Sequence, residues 1–186
     1  MKIRTLSSAP EVRDDRRLVF YAAVFDTPAT VTENGETFSE VIRPGAFRRT
    51  LADPAVDVIA DLEHDPAKTF ARRSTGLLLQ EDPRGLFASA YLPPSALNDQ
   101  ILADVRSGRI NGASFQFTDA PGGRRRTAAA GPGGLPTDDV TDVTLIDVTL
   151  SAGHQVYKAT TVSVRTAGPD LENLFLRLRL AKARRT

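Results

Sequence analysis

Apolar positions along the chain fall into short alternating or continuous runs, separated by stretches rich in Gly, Pro, Asn and Asp. That pattern predicts a mainly stranded fold. Residues 17–25 (RLVFYAAVF) are β-branched and aromatic and read as a strand. Residues 27–36 hold Pro28, Asn34 and Gly35 and read as a loop, and 38–42 as a short strand. Pro44 suits the start of a short helix that runs to about Leu51, before Pro54 ends it. Residues 56–62 (VDVIADL) read as a strand, and 76–80 with 85–92 as a hairpin around Asp82-Pro83-Arg84-Gly85. Ser95 caps a helix whose Leu97, Ile101, Leu102 and Val105 recur at helical spacing until Gly108. Residues 110–118 form a further strand, with Phe115 and Phe117 on one face.

Residues 119–139 break the pattern with five glycines, three prolines and three consecutive arginines. So little apolar surface predicts a mobile loop. Strand character resumes at 140–150 (VTDVTLIDVTL) and returns briefly at 160–164. Residues 170–185 read as an amphipathic helix with Leu171, Leu174, Phe175 and Leu178 as its stripe. About seven strands, two internal helices and a terminal one predict an α+β domain on an antiparallel sheet or barrel. The expected organisation is an arm over 1–16, one domain over 17–166 and a basic helix over 167–186.

A chain of 186 residues buries a core without staples. It has no cysteine, which excludes disulfides, a thiolate nucleophile and cysteine zinc sites. Two histidines argue against a histidine-rich metal site, and no metal or organic cofactor is expected. No apolar run approaches the roughly 18 residues of a membrane span, and the first residues do not read as a signal peptide. A soluble, intracellular protein without a membrane partner is the expectation. The net charge of +1 argues against a dedicated nucleic-acid binder. Residues 169–186 nevertheless carry five basic and two acidic side chains.

Few residues are equipped for chemistry. His64 leaves the strand 56–62 beside Glu63 and Asp65, where it serves as a general base or is simply a surface histidine. Ser114 follows Gly112-Ala113, which leave room for an acyl substrate; otherwise it is an ordinary strand serine. The Gly-x-Ser-x-Gly elbow is absent because Gln116 stands where the second glycine belongs. Asp142 and Asp147, five apart on a regular strand, point to opposite faces. Asp147, between Ile146 and Val148, needs a partner there and is suited to orienting an imidazole. His154 is the other residue of that kind. Taken singly, none of these pairs with another.

Their order and spacing carry more. Tyr21-Ala22-Ala23-Val24-Phe25-Asp26, then Glu40-Val41-Ile42-Arg43-Pro44-Gly45-Ala46-Phe47, then His64-Asp65-Pro66 with Arg72 and Gly76, follow one another. After them come Val105-Arg106-Ser107-Gly108, Ile110-Asn111-Gly112-Ala113-Ser114-Phe115-Gln116-Phe117 and Leu145-Ile146-Asp147-Val148. Over residues 17–165 this series resembles the prohead proteases of tailed phages, distant relatives of the herpesvirus assemblins. The resemblance implies a herpesvirus-protease-like fold: an antiparallel β-barrel-like core of about seven strands with flanking helices. It implies a serine endopeptidase that cleaves scaffold or major coat protein segments inside the procapsid, in the cytoplasm of a bacterial host. A gene transfer agent is a second setting. The family's histidine falls on His64 and its serine on Ser114. The third member falls on Asp147 or, following the herpesvirus relatives, on His154. Arg72 is the candidate for oxyanion support, and the herpesvirus relatives point to a homodimer. The competing expectation is a protease-fold assembly factor with little activity that binds coat or scaffold protein.

Overall fold

The computed structural model describes residues 2–6, 10–12, 16–128 and 131–152. The expected strand at 160–164, the terminal helix and His154 lie outside the described residues. Thirteen strands and two α-helices are described. The strands are β1 (Lys2–Leu6), β2 (Glu11–Val12), β3 (Arg17–Val24), β4 (Ala29–Glu33), β5 (Glu36–Ile42), β6 (Ile59–Leu62) and β7 (Ala71–Arg72). They continue with β8 (Leu78–Glu81), β9 (Gly85–Tyr91), β10 (Gly112–Asp119), β11 (Arg124–Thr127), β12 (Thr137–Val140) and β13 (Val143–Ser151). The helices are α1 (Arg48–Ala52) and α2 (Ala96–Arg106).

The fold is α+β, and its strands form three sheets rather than one closed barrel. The first has the order β1-β10-β13-β6-β7, the second β11-β12-β5-β4 and the third β2-β3-β9-β8. Pairing is mostly antiparallel, but β13 with β6 and β12 with β5 run parallel. Both parallel pairs join strands far apart in sequence, where no hairpin imposes an antiparallel return.

Apolar faces of the three sheets meet in one core. Leu18 of β3, Leu86 of β9, Phe115 and Phe117 of β10, and Leu145 and Leu150 of β13 are at most 1% exposed. Phe47, just before α1, is fully buried, stacks on Phe25 and meets Phe115 edge-on at 5.4 Å. Each such side chain contributes about 1.5–3 kcal/mol through removal from water. On α2 the stripe Ile101, Leu102 and Val105 is buried as its spacing requires, and the Ser95 hydroxyl accepts from the Asn98 N–H at 3.1 Å.

The expected loop 27–36 is instead a hairpin of β4 and β5. Asn34 and Gly35, with φ of 51° and 80°, form its two-residue turn, the Asn-Gly pair being the strongest short hairpin signal. Residues 119–139, expected as a mobile loop, contain the paired strands β11 and β12. Ionic partners replace the missing apolar surface there: Arg124 and Arg126 both reach Asp138. Residues 140–150 are not one strand, because β12 ends at Val140 and β13 starts at Val143. Within the expected arm, residues 2–6 form β1, which pairs along β10 from Lys2–Phe117 to Leu6–Ala113.

Candidate active site

The site is assembled on the first sheet. β10 and β13 lie side by side with Ser114 opposite Thr149 and Gln116 opposite Asp147. Alternation places these four side chains on one face, opposite the core face of Phe115 and Val148. The register shifts just beyond, between Gln116 and Phe117, a bulge that re-aims the strand next to the acidic residue. On the far side of β13, β6 runs parallel with Asp61 opposite Thr149, and delivers the chain to His64 two residues after its end.

His64 reaches the site through a tight turn. Glu63 and His64 both have positive φ, 59° and 54°, and the Asp65 N–H returns to the Leu62 carbonyl at 3.2 Å. Left-handed backbone costs a residue with a Cβ about 1–2 kcal/mol. Three contacts to β13 and its end hold the turn. The Glu63 N–H donates to the Leu150 carbonyl at 2.9 Å, and the His64 N–H to the Thr149 hydroxyl at 3.0 Å. The Glu63 carboxylate accepts from the Ala152 N–H at 2.6 Å. The Thr149 hydroxyl itself donates to the Asp61 carbonyl at 3.0 Å.

The turn places the imidazole between the two other side chains. His64 Nδ1 lies 2.9 Å from Asp147 Oδ1, and His64 Nε2 lies 3.1 Å from Ser114 Oγ. With the proton on Nδ1 donated to Asp147, Nε2 is left as the acceptor for the serine hydroxyl. The Asp147 side chain is 5% exposed and the His64 side chain 16%. Ser114 is 1% exposed, and its hydroxyl can instead donate to the Arg4 carbonyl of β1.

Asp61 lies behind this chain. It is fully buried, and neither carboxyl oxygen has a hydrogen-bond partner among the described residues. Burial pushes its carboxyl above the ordinary aspartate range, against the pull of the nearby Thr149 hydroxyl; the Asp147 carboxylate pushes it up further, and His64 draws it down. Asp61, His64 and Asp147 offer donor atoms within 4.8 Å of one another.

The structure thus brings together His64, Ser114 and Asp147. It does not bring Arg72 to them. Arg72 ends β7, three strands from β10 and so about 14 Å away at the usual strand spacing. Its guanidinium is half exposed and lies 3.7 Å from Asp57. Asp142 precedes β13 and pairs with Arg49 at the surface. Sequence reasoning passed over Thr149, Asp61 and Arg4. Thr149 had a signal, since it is two residues from Asp147 and shares its face. Asp61 was hidden inside a run read only as a strand.

Comparison with known proteins bears on the family and the fold. No curated protein matches the chain. Among solved structures it is similar to the bacteriophage T4 capsid assembly protease gp21, with a TM-score of 0.54 and 12% identity, covering 82% of this chain and 97% of that one. At that identity the likeness speaks for the fold alone. The family model described as Caudovirus prohead serine protease matches residues 5–172, a span that includes the turn at His64 and the strands of Ser114 and Asp147. The chain therefore belongs to the prohead serine proteases of the tailed phages.

Proposed function

We propose that this protein is the endopeptidase that cleaves scaffold or major coat protein segments as the procapsid matures, with Ser114 as nucleophile, His64 as general base and Asp147 as its orienting partner. The observation that carries this reading is the continuous chain Asp147–His64–Ser114, with contacts of 2.9 and 3.1 Å.

Ser114 Oγ attacks the scissile carbonyl carbon while its proton passes to His64 Nε2. The new O–C bond forms, and the C–N bond breaks as His64 gives that proton to the departing amine. Water then attacks the acyl-enzyme, loses a proton to His64, and displaces Ser114, which recovers its proton. Asp147 accepts from Nδ1–H throughout and stabilises the imidazolium, an interaction strengthened by its near-complete burial.

The decisive experiment co-expresses the chain with the major coat protein of the same particle and measures the coat protein's intact mass. A shortened coat protein is expected with the wild type and not with Ser114→Ala. Assembled shells of full-length coat protein in both cases would overturn the assignment. That outcome would favour a protease-fold assembly factor, a reading to which the burial of Ser114 lends some support.

A further inference from the structure

Resting on the protease reading, one question is what strand this site accepts. Ser114 is on β10, whose two neighbours differ in kind. On one side β13 carries Asp147 and cannot leave without dismantling the site. On the other side lies β1, paired to β10 with Thr5 opposite Ser114 and Arg4 opposite Phe115. The Arg4 carbonyl takes the serine hydroxyl as donor. A hydroxyl has one proton, so this contact competes with donation to His64. A substrate strand that is to meet Ser114 must therefore use the edge of β10 that β1 now holds, by β-strand addition.

The side chains of β1 show what chemistry that edge reads. Arg4 is 6% exposed and is held by Glu40, with its Nη2 2.9 Å from Glu40 Oε2. Glu33 lies 3.9 Å away, and the Phe117 ring lies under the guanidinium at 5.8 Å. Two residues earlier, on the same face, Lys2 Nζ sits 2.6 Å from Asp119 and 3.7 Å from Glu33. If β1 left, Glu33, Glu40 and Asp119 would keep only Arg124 between them among the described residues, and Asp138 also holds that guanidinium. Glu40 is fully buried, so a deficit of positive charge there is costly.

We propose that substrate binds as a strand along β10 in the place of β1, and that Glu33, Glu40 and Asp119 select it for basic side chains at two alternate positions. The second of these is the residue whose carbonyl Ser114 attacks, the place Arg4 takes here. Glu40 is the specificity-determining residue at that position, and Asp119 with Glu33 reads the basic side chain two residues before it.

The test incubates the full chain with a mixture of synthetic random peptides and identifies the new termini by mass spectrometry. Arg or Lys directly before the cleaved bond is expected at least tenfold over Gln, with a weaker basic enrichment two residues upstream. Glu33→Gln, a change at the partly exposed end of β4, is expected to lower the upstream enrichment severalfold while the basic preference next to the cleaved bond persists. A purely structural role for the cluster would not move that ratio. Cleavage by the wild type without basic preference, with Ser114→Ala inactive, overturns this proposal and leaves the protease assignment standing. If neither peptides nor assembled coat protein are cleaved, both fall.

Discussion

A carboxyl group that is fully buried and unpartnered costs folding free energy whenever it ionises. Among the described residues Asp61 is such a group, whereas its neighbour Asp147 is hydrogen-bonded to His64. Because the Asp61 carboxyl is raised in the folded state, the folded chain holds a proton that the unfolded chain releases. Stability is then lost as pH rises from the ordinary aspartate range towards the raised value. Asp61→Asn is expected to remove that loss, so its melting temperature should gain on the wild type as pH goes from about 4 to 7. An equal difference at both pH values would show that the Asp61 carboxyl is not raised in the folded protein. Asp147→Asn is expected to act on rate instead. An amide in place of the carboxylate favours the wrong imidazole tautomer, and kcat should fall by roughly 10⁴-fold with the melting temperature little changed. Peptide cleavage at an unchanged rate would remove Asp147 from the mechanism. Of this site, Ser114 and His64 were legible as a pair only through the family resemblance, because their meeting depends on the left-handed turn at Glu63 and His64. No propensity rule foresees two successive non-glycine residues with positive φ.

Strand β9 shows how an element is fixed by one position. Gly85 opens it opposite Val24, just past the irregularity between Tyr21 and Ala23 on β3. A Cβ at Gly85 would stand 1.9 Å from the Ala23 carbonyl oxygen, and a backbone atom cannot swing away as a flexible side chain can. Gly85→Ala is expected to cost about 2–4 kcal/mol, seen as a lower midpoint in urea. A loss within experimental error would mean that β3 shifts freely at its bulge. The Asp82-Pro83-Arg84-Gly85 turn was readable because its residues act locally. The Asp82 carboxylate accepts from the N–H groups of Arg84 and Gly85 at 2.7 and 3.0 Å. β11 was not readable. Arg124-Arg125-Arg126 has the composition of a solvated loop, and what makes it a strand is the carboxylates of β12 and β5, brought close by tertiary structure. The parallel pairing of β13 with β6 was equally hidden, since nothing local specifies which distant strand becomes a neighbour.

Across the whole molecule, the first and second sheets are joined by charge as well as by apolar packing. Arg124 of β11 donates to Glu40 of β5 at 2.7 Å, to Asp138 of β12 at 2.8 Å and to Asp119 at the end of β10 at 3.0 Å. Hydrogen bonds from Arg126 and then Arg124 hold the Asp138 carboxyl below its ordinary range against the upward push of burial. Burial also pushes Asp119 up, but Arg124 and Lys2 outweigh it and the net direction is down. Carboxyls lowered in the folded state contribute stability that is present above their unfolded pKa and lost as pH falls through the folded value. Removing one partner of a buried ionic cluster leaves uncompensated charge and typically costs about 3–5 kcal/mol. Arg124→Gln is therefore expected to be destabilised by about that much near neutrality. The same change withdraws the cation that helps hold the Asp119 and Asp138 carboxyls low, so protons bind them more readily in the folded variant. The deficit against the wild type should then shrink as pH falls, because acid neutralises the exposed imbalance while stripping the wild type of its own ionic contribution. Urea unfolding at about pH 7 and about pH 4 measures both differences. A deficit that is the same at the two pH values would mean that Arg124 acts by packing on Phe38 of its own sheet, 5.9 Å from its guanidinium, and not by joining the sheets through charge.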